Sequence, residues 1–208
     1  MSLETLKLIR LIVPGIIIFF FTMILGNITG LWHISLPDNL EKAAYIPSML
    51  IPGAIYYLTP LRSWTNARHH KRLIEHLRTG LVSISEIDDR PEKFTWPALK
   101  SLFFSLVDLD ASLKTKASLA YFNGAIWTTC ADLTILGIIF GVISFCLFLV
   151  FIKNSLLATL IFIVTACLSY FGSLSTTRKQ ITIASEQLEI IRLNYKNKVV
   201  ERIGELDK

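Results

Sequence analysis

The chain predicts an all-α polytopic membrane protein with four transmembrane helices, both termini on the cytoplasmic side, and cytoplasmic amphipathic helices. Composition comes first: of 208 residues, 52% are hydrophobic and only 18% charged, against about 25% charged in ordinary soluble domains. Mean hydropathy is +0.54. Second, the apolar residues gather into blocks long enough to cross a bilayer instead of scattering along a core pattern. Third, if four blocks cross, 19 of the 21 Lys and Arg residues fall on one side.

The first block, LIVPGIIIFFFTMILG (11–26), predicts a span over about residues 9–27. A cleaved signal peptide is the rival reading, but the apolar run exceeds a usual h-region and no A-x-A-like site follows it. Pro14 lies near the start of the helix, where a missing N–H costs little. The second block, about 42–61, has 18 uncharged residues from Ala43 to Pro60, just enough to span roughly 30 Å of hydrocarbon. Pro47, Pro52 and Gly53 would kink it and free backbone carbonyls that need partners, so a re-entrant segment is the alternative.

Residues 62–118 form the longest polar stretch and predict a cytoplasmic helical segment. Leu73, Ile74, Leu77 and Leu81 suit a helix, and the pattern loosens at SEIDDRPEKFTWP. Thr95 with Pro97 then signals a helix start. Leu99, Leu102, Phe103, Leu106, Leu109 and Leu113 recur every three or four residues, which predicts an amphipathic helix. Residues 119–175 hold a transmembrane hairpin of about 130–152 and 155–175, since Lys153-Asn154 leaves room only for a tight turn. The segment 176–208 predicts a cytoplasmic C-terminal helix. Its stripe of Ala184, Leu188, Ile191, Tyr195, Val199 and Ile203 suits a straight or slightly right-handed bundle. Of this stripe, Leu188, Ile191, Tyr195 and Val199 are the candidate contacts to a partner helix or another subunit.

Charge sets the orientation. Lys and Arg number two before the first span, ten in 62–118 and seven in the tail, with only Lys42 and Lys153 on the other side. The positive-inside rule puts the nineteen in the cytoplasm. The outer surface is then NITGLWHISLPDNLEK and one turn, too small for an external ligand-binding domain. The Asn27-Ile28-Thr29 sequon lies against the membrane and is given no role. Trp32, Trp64 and Trp127 suit interfacial belts.

Motifs for chemistry are absent: no P-loop, G-x-S-x-G, H-E-x-x-H or dinucleotide fingerprint. Cys130, Cys146 and Cys167 lack zinc spacing and are an odd count, so they predict buried structural thiols. His69, His70 and His76 lack a carboxylate or cysteine to complete a metal set and predict solvated histidines. Asp108 and Asp110, two apart, point in different directions on a helix. No enzyme, metal or cofactor is expected.

Asp132 opens the third span and is the main polar candidate. Interfacial solvation, a pore mouth and an ion pair to a neighbouring subunit are the readings, with Thr128 and Thr129 as added lining and Pro52 as a gating candidate. Gly137 and Gly141 form a GxxxG spacing that serves either packing on the fourth span or oligomerisation. Arg68, Lys71 and Arg72 in TNARHHKR follow the second span at once and predict contact with anionic headgroups or a partner. Segment 62–118 nets only +3, ten basic against seven acidic residues, which weighs against direct nucleic-acid binding.

In size, span number, short external loops and cytoplasmic helices, the architecture resembles small bacterial four-helix membrane subunits of anti-phage defence systems, among them the membrane component of Kiwa. The resemblance implies a non-enzymatic homo-oligomeric sensor or effector in the bacterial inner membrane, pore-forming in some relatives, with a cytosolic partner. A small ion channel or transporter subunit, and an anchor or assembly factor without conduction, are the alternatives.

Overall fold

A computed structural model describes residues 3–33, 45–86 and 94–206. All regular structure among them is helical: α1 (Leu3–Thr29), α2 (Tyr45–Leu58), α3 (Leu61–Ser85), α4 (Trp96–Leu109), α5 (Ala111–Leu149) and α6 (Ser155–Leu206). Helices α1, α5 and α6 are long and apolar enough to cross a membrane. Helix α2 is apolar but has 14 residues, about 21 Å of rise against roughly 30 Å of hydrocarbon. Residues 42–44 of the expected second span, and 87–93 of the loosened segment before α4, lie outside the described residues.

The chain divides into two compact units. One comprises Met1–Asn66 with Ala125–Leu174, the other Ala67–Gly124 with Ser175–Lys208. Helices α5 and α6 each contribute residues to both, so the expected boundaries near 118 and 176 are not breaks in the helices.

In the first unit the core lies where α1, α5 and α6 meet. Phe21, Phe140 and Phe162, one from each helix, place their ring centroids 5.0–5.5 Å apart. Small residues let the backbones close in around them. A Cβ built on Gly15 would lie 1.8 Å from the Met49 carbonyl oxygen, so α2 packs directly on the α1 backbone. On Gly137 a Cβ would meet the Ala166 Cβ and the Phe162 carbonyl at 3.0 Å, and on Gly141 it would meet Ile163 Cδ1 at 3.0 Å. Both glycines of the GxxxG spacing therefore serve packing of α5 on α6 within the chain. The unit's outside is apolar as well: Val142, Phe145, Leu149, Leu160, Val164 and Leu168 are all exposed, a surface that soluble monomers do not present.

Helix α5 ends in a Schellman arrangement. Phe151 N–H bonds to the Phe148 carbonyl (3.0 Å) and Ile152 N–H to that of Leu147 (3.0 Å). Phe151 adopts φ 61°, a conformation usually left to glycine. Asn154, also left-handed at φ 60°, donates its side-chain amide to the Ile28 carbonyl at 3.3 Å, tying the turn to the end of α1. Trp32 folds back on the same helix, donating to the Thr22 carbonyl (3.2 Å) over the space left by Gly26. Trp127, by contrast, is 9% exposed and belongs inside, not to an outward belt.

The second unit has a core of the kind water builds. Leu81, Leu99, Leu106, Leu113, Ile191, Val199 and Ile203 are at most 1% exposed, drawn from α3, α4, the start of α5 and the end of α6. The C-terminal stripe is thus the inner face of this unit, which corrects its assignment as an oligomer or partner surface. Leu188, Ile191 and Val199 are covered by the chain's own α3 and α4, and Tyr195 packs against them. Packing also needs two breaks that the periodicity does not announce. Asp110 is extended (φ −117°, ψ 126°) and separates α4 from α5. Tyr195 is non-helical (φ −133°, ψ 15°) inside α6. In consequence Leu109, expected on the buried stripe, is 64% exposed.

Candidate functional site

The polar centre of the first unit forms around Asp132 of α5. Thr59 and Pro60 break the chain between α2 and α3, because proline has no N–H to continue the helix and its ring clashes with the preceding turn. Thr59 turns back, its N–H (3.0 Å) and hydroxyl (2.7 Å) both donating to the Tyr56 carbonyl. Helix α3 then restarts on the Pro60 carbonyl, which accepts from Trp64 N–H and the Ser63 hydroxyl. This short break delivers Tyr56 and Arg62 to the same carboxylate. The Tyr56 hydroxyl donates to Asp132 Oδ1 at 3.0 Å, and Arg62 Nη2 donates to Oδ2 at 2.9 Å. Asp132 is fully buried, and the Arg62 side chain is 12% exposed. Tyr57 lies beneath the guanidinium, its ring centroid 6.0 Å away.

Asp132 is therefore neither solvated nor presented to another subunit: both its oxygens are taken by groups of the same chain, because an isolated buried carboxylate would be too costly. Thr128 and Thr129 do not join it. Their hydroxyls return to the Ala125 carbonyl at 2.9 and 3.0 Å, within α5. Pro52 lies one turn before Tyr56 in α2, next to Gly53, whose Cα is among the atoms closest to Gly15. The Pro-Gly pair serves the approach of α2 to α1.

In the sequence Arg62 is one cation among the ten of 62–118, and nothing there marks Tyr56. The available signal was the lone acid in an apolar helix, which requires a cation, together with an arginine just past the second apolar block.

In the second unit, Arg68, Lys71 and Arg72 are exposed, as is His70. The other two histidines depart from the solvated expectation. His69 is buried, with Nδ1 3.2 Å from the Thr177 hydroxyl. Burial, and after it the nearby Arg72 and Arg68, hold the imidazole below its ordinary range. His76 Nε2 lies 2.8 Å from the Ser185 hydroxyl, at a shallow groove lined also by Glu189 and Arg192. Asn123 bridges α5 to α6, donating to the Thr176 carbonyl (2.9 Å) and the Gln180 side chain (2.7 Å). At Asp110 the Leu113 N–H, donating at 2.9 Å, holds the carboxyl below the usual carboxylate range, and the Tyr195 hydroxyl adds to this at 3.1 Å. No cluster of three or more His, Cys, Asp or Glu able to hold a metal occurs among the described residues.

The Asp132–Tyr56–Arg62 arrangement can clamp three helices. Among the described residues no second carboxylate joins it. No family model matches the chain, and no curated protein or solved structure matches it either.

Proposed function

We propose that the chain is a non-enzymatic inner-membrane protein of four spans, with both termini and the second unit in the cytoplasm. It works as a homo-oligomeric sensor or effector together with a cytosolic partner. The observation that carries this reading is the closure of the one acidic group in the apolar blocks: Asp132 is consumed by Arg62 and Tyr56. A transporter subunit would hold such a group open to a path. Instead the membrane unit is locked, and conduction, where it occurs, runs between subunits. The cytoplasmic unit has its own core and shares α5 and α6 with the spans, as a receiving or docking element would. A role in anti-phage defence, as in the Kiwa membrane component, rests on the shared outline.

Helix α2 crosses in this reading with help from its flanks, since a three-span chain would leave either the ten cations of 62–118 or the seven of the tail outside. Reporter fusions at the N-terminus, after residue 86 and at the C-terminus should all report the cytoplasm. Purified full-length protein should run as one oligomer, and in liposomes it should be closed to ions without its partner. A monomer with constitutive flux would replace this reading with a transporter.

A further inference from the structure

One layer of the second unit is rich in cations, several of which form no ion pair among the described residues. It is fixed by two polar contacts on the same turns of α6. His69 of α3 meets Thr177, and Asn123 of α5 binds Thr176 and Gln180. Outside these contacts stand Arg68, Lys71 and Arg72 on α3 and Arg178 and Lys179 on α6, all exposed. The stretches 67–74, 111–124 and 175–185 that build this end of the unit contain seven Lys and Arg and no Asp or Glu. Acids described elsewhere in the unit meet local cations. Glu75 pairs with Arg78, Glu86 with Lys196 and Glu205 with Arg202, and Lys116 reaches out of the layer to Glu186. Arg68, Arg72, Arg178 and Lys179 form no ion pair among the described residues.

Neighbouring exposed cations repel one another, and an anion bound from outside relieves that repulsion. The layer has a second property. Tyr121 and Phe122, the residues before Asn123, are 46% and 59% exposed, and Leu119 is 49% exposed. Free phosphate has no use for apolar side chains beside its site. A bilayer interface does: rings sit at headgroup level while guanidinium and ammonium groups meet the phosphates. Arginine can grip a phosphate through two parallel hydrogen bonds.

We infer that this layer is a binding surface for anionic phospholipid headgroups, with Arg68, Arg72, Arg178 and Lys179 holding the phosphates and Tyr121 and Phe122 seated in the interface. The inference rests on the membrane-spanning reading and specifies which lipid class meets this chain, and where.

The test uses full-length protein in neutral detergent, titrated with phosphatidylglycerol or phosphatidylcholine, with bound lipid read by native mass spectrometry. Wild type should retain phosphatidylglycerol in preference. Arg68→Gln with Arg72→Gln, and Arg178→Gln with Lys179→Gln, should each weaken that preference, about fivefold for every charge removed. Lys100→Gln with Lys198→Gln, an equal charge loss among exposed residues elsewhere in the unit, should leave it unchanged. Unchanged retention in the layer variants, an equal loss in the control pair, or binding of a short DNA duplex in place of any lipid preference would each overturn the inference. Alkaline carbonate extraction of native membranes separates the two levels. Protein that stays in the membrane but lacks lipid preference sinks this inference alone, and protein that washes out sinks the membrane reading.

Discussion

Asp132→Asn or Arg62→Gln should destabilise the first unit by about 3–5 kcal/mol, because each leaves one buried charge without its counter-charge. Arg62→Met combined with Asp132→Leu should recover most of the loss, since the desolvation cost of both ions disappears together. Denaturation by sodium dodecyl sulfate of the purified variants measures this, and a double variant as weak as the singles would show that the pair does more than neutralise. In the other unit, His69 makes stability depend on pH. Its folded-state pKa lies below the ordinary value, so the unfolded chain takes up the proton first as pH falls. Its contribution to stability is complete above about pH 6.5 and is lost progressively below that. Trp96 fluorescence during urea unfolding between pH 7 and pH 5 should show the decline, and His69→Gln should flatten it. Asp110, whose pKa is also lowered, loses its contribution only below the usual carboxylate range and so leaves this window clear. These roles were partly legible. Asp132 draws notice because acids are rare in apolar helices, whereas nothing in TNARHHKR tells His69 from His70, since burial of one ring depends on Thr177, more than a hundred residues away.

Among the elements, the break at Asp110 and the kink at Tyr195 are one device. Asp110 ends α4 and caps α5 through Oδ1, and its Oδ2 accepts the Tyr195 hydroxyl where α6 leaves helical geometry. Lys198 lies 5.7 Å from the Tyr195 ring centroid on the same helix. Asp110→Ala and Tyr195→Phe should each lower the urea midpoint of the second unit. Asp110→Ala should cost more, because it removes the cap as well as the link. Together they should cost less than the sum of the two, since the shared hydrogen bond can be lost only once. Strict additivity in that double-mutant cycle would mean that break and kink are set independently. Sequence periodicity revealed both helices and nearly all their buried residues, from Leu99 to Leu106 and from Ala184 to Ile203. It missed both breaks because the apolar spacing runs through them without a slip: Leu109 and Leu113 continue the stripe on paper, yet the extended Asp110 turns Leu109 outward. Asp110 carried a weak signal, as a residue type that caps helices, whereas Tyr195 carried none.

For the molecule as a whole, the two units should respond to different solvents because different forces hold them. In the second, Ile191 is fully buried among leucines of α3 and α4, and expelling water from that core supplies its stability. Ile191→Ala should therefore cost about 2–5 kcal/mol. In the first, the faces away from Phe162 are apolar too, so lipid or detergent is as good a solvent for its side chains as its own core. Only close packing and the Asp132 clamp distinguish the folded arrangement there. Phe162→Ala then loses contacts and leaves a cavity, with little of the transfer term that adds to the loss in water. In mild detergent, urea should unfold the second unit first, with Trp96 losing its contact with Phe103, while the apolar helices keep their circular dichroism. Ile191→Ala should move that urea transition and leave the dodecyl sulfate transition in place, and Phe162→Ala should do the reverse. The apolar blocks and the stripes already showed that the chain has two kinds of surface, and the division into units falls close to the change from one to the other. What the blocks could not show is that α5 and α6 run through that change unbroken, since helical period is the same in lipid and in water. That continuity limits the prediction in one direction: a single cooperative transition, moved equally by Ile191→Ala and Phe162→Ala, would mean that the shared helices carry unfolding from one unit into the other.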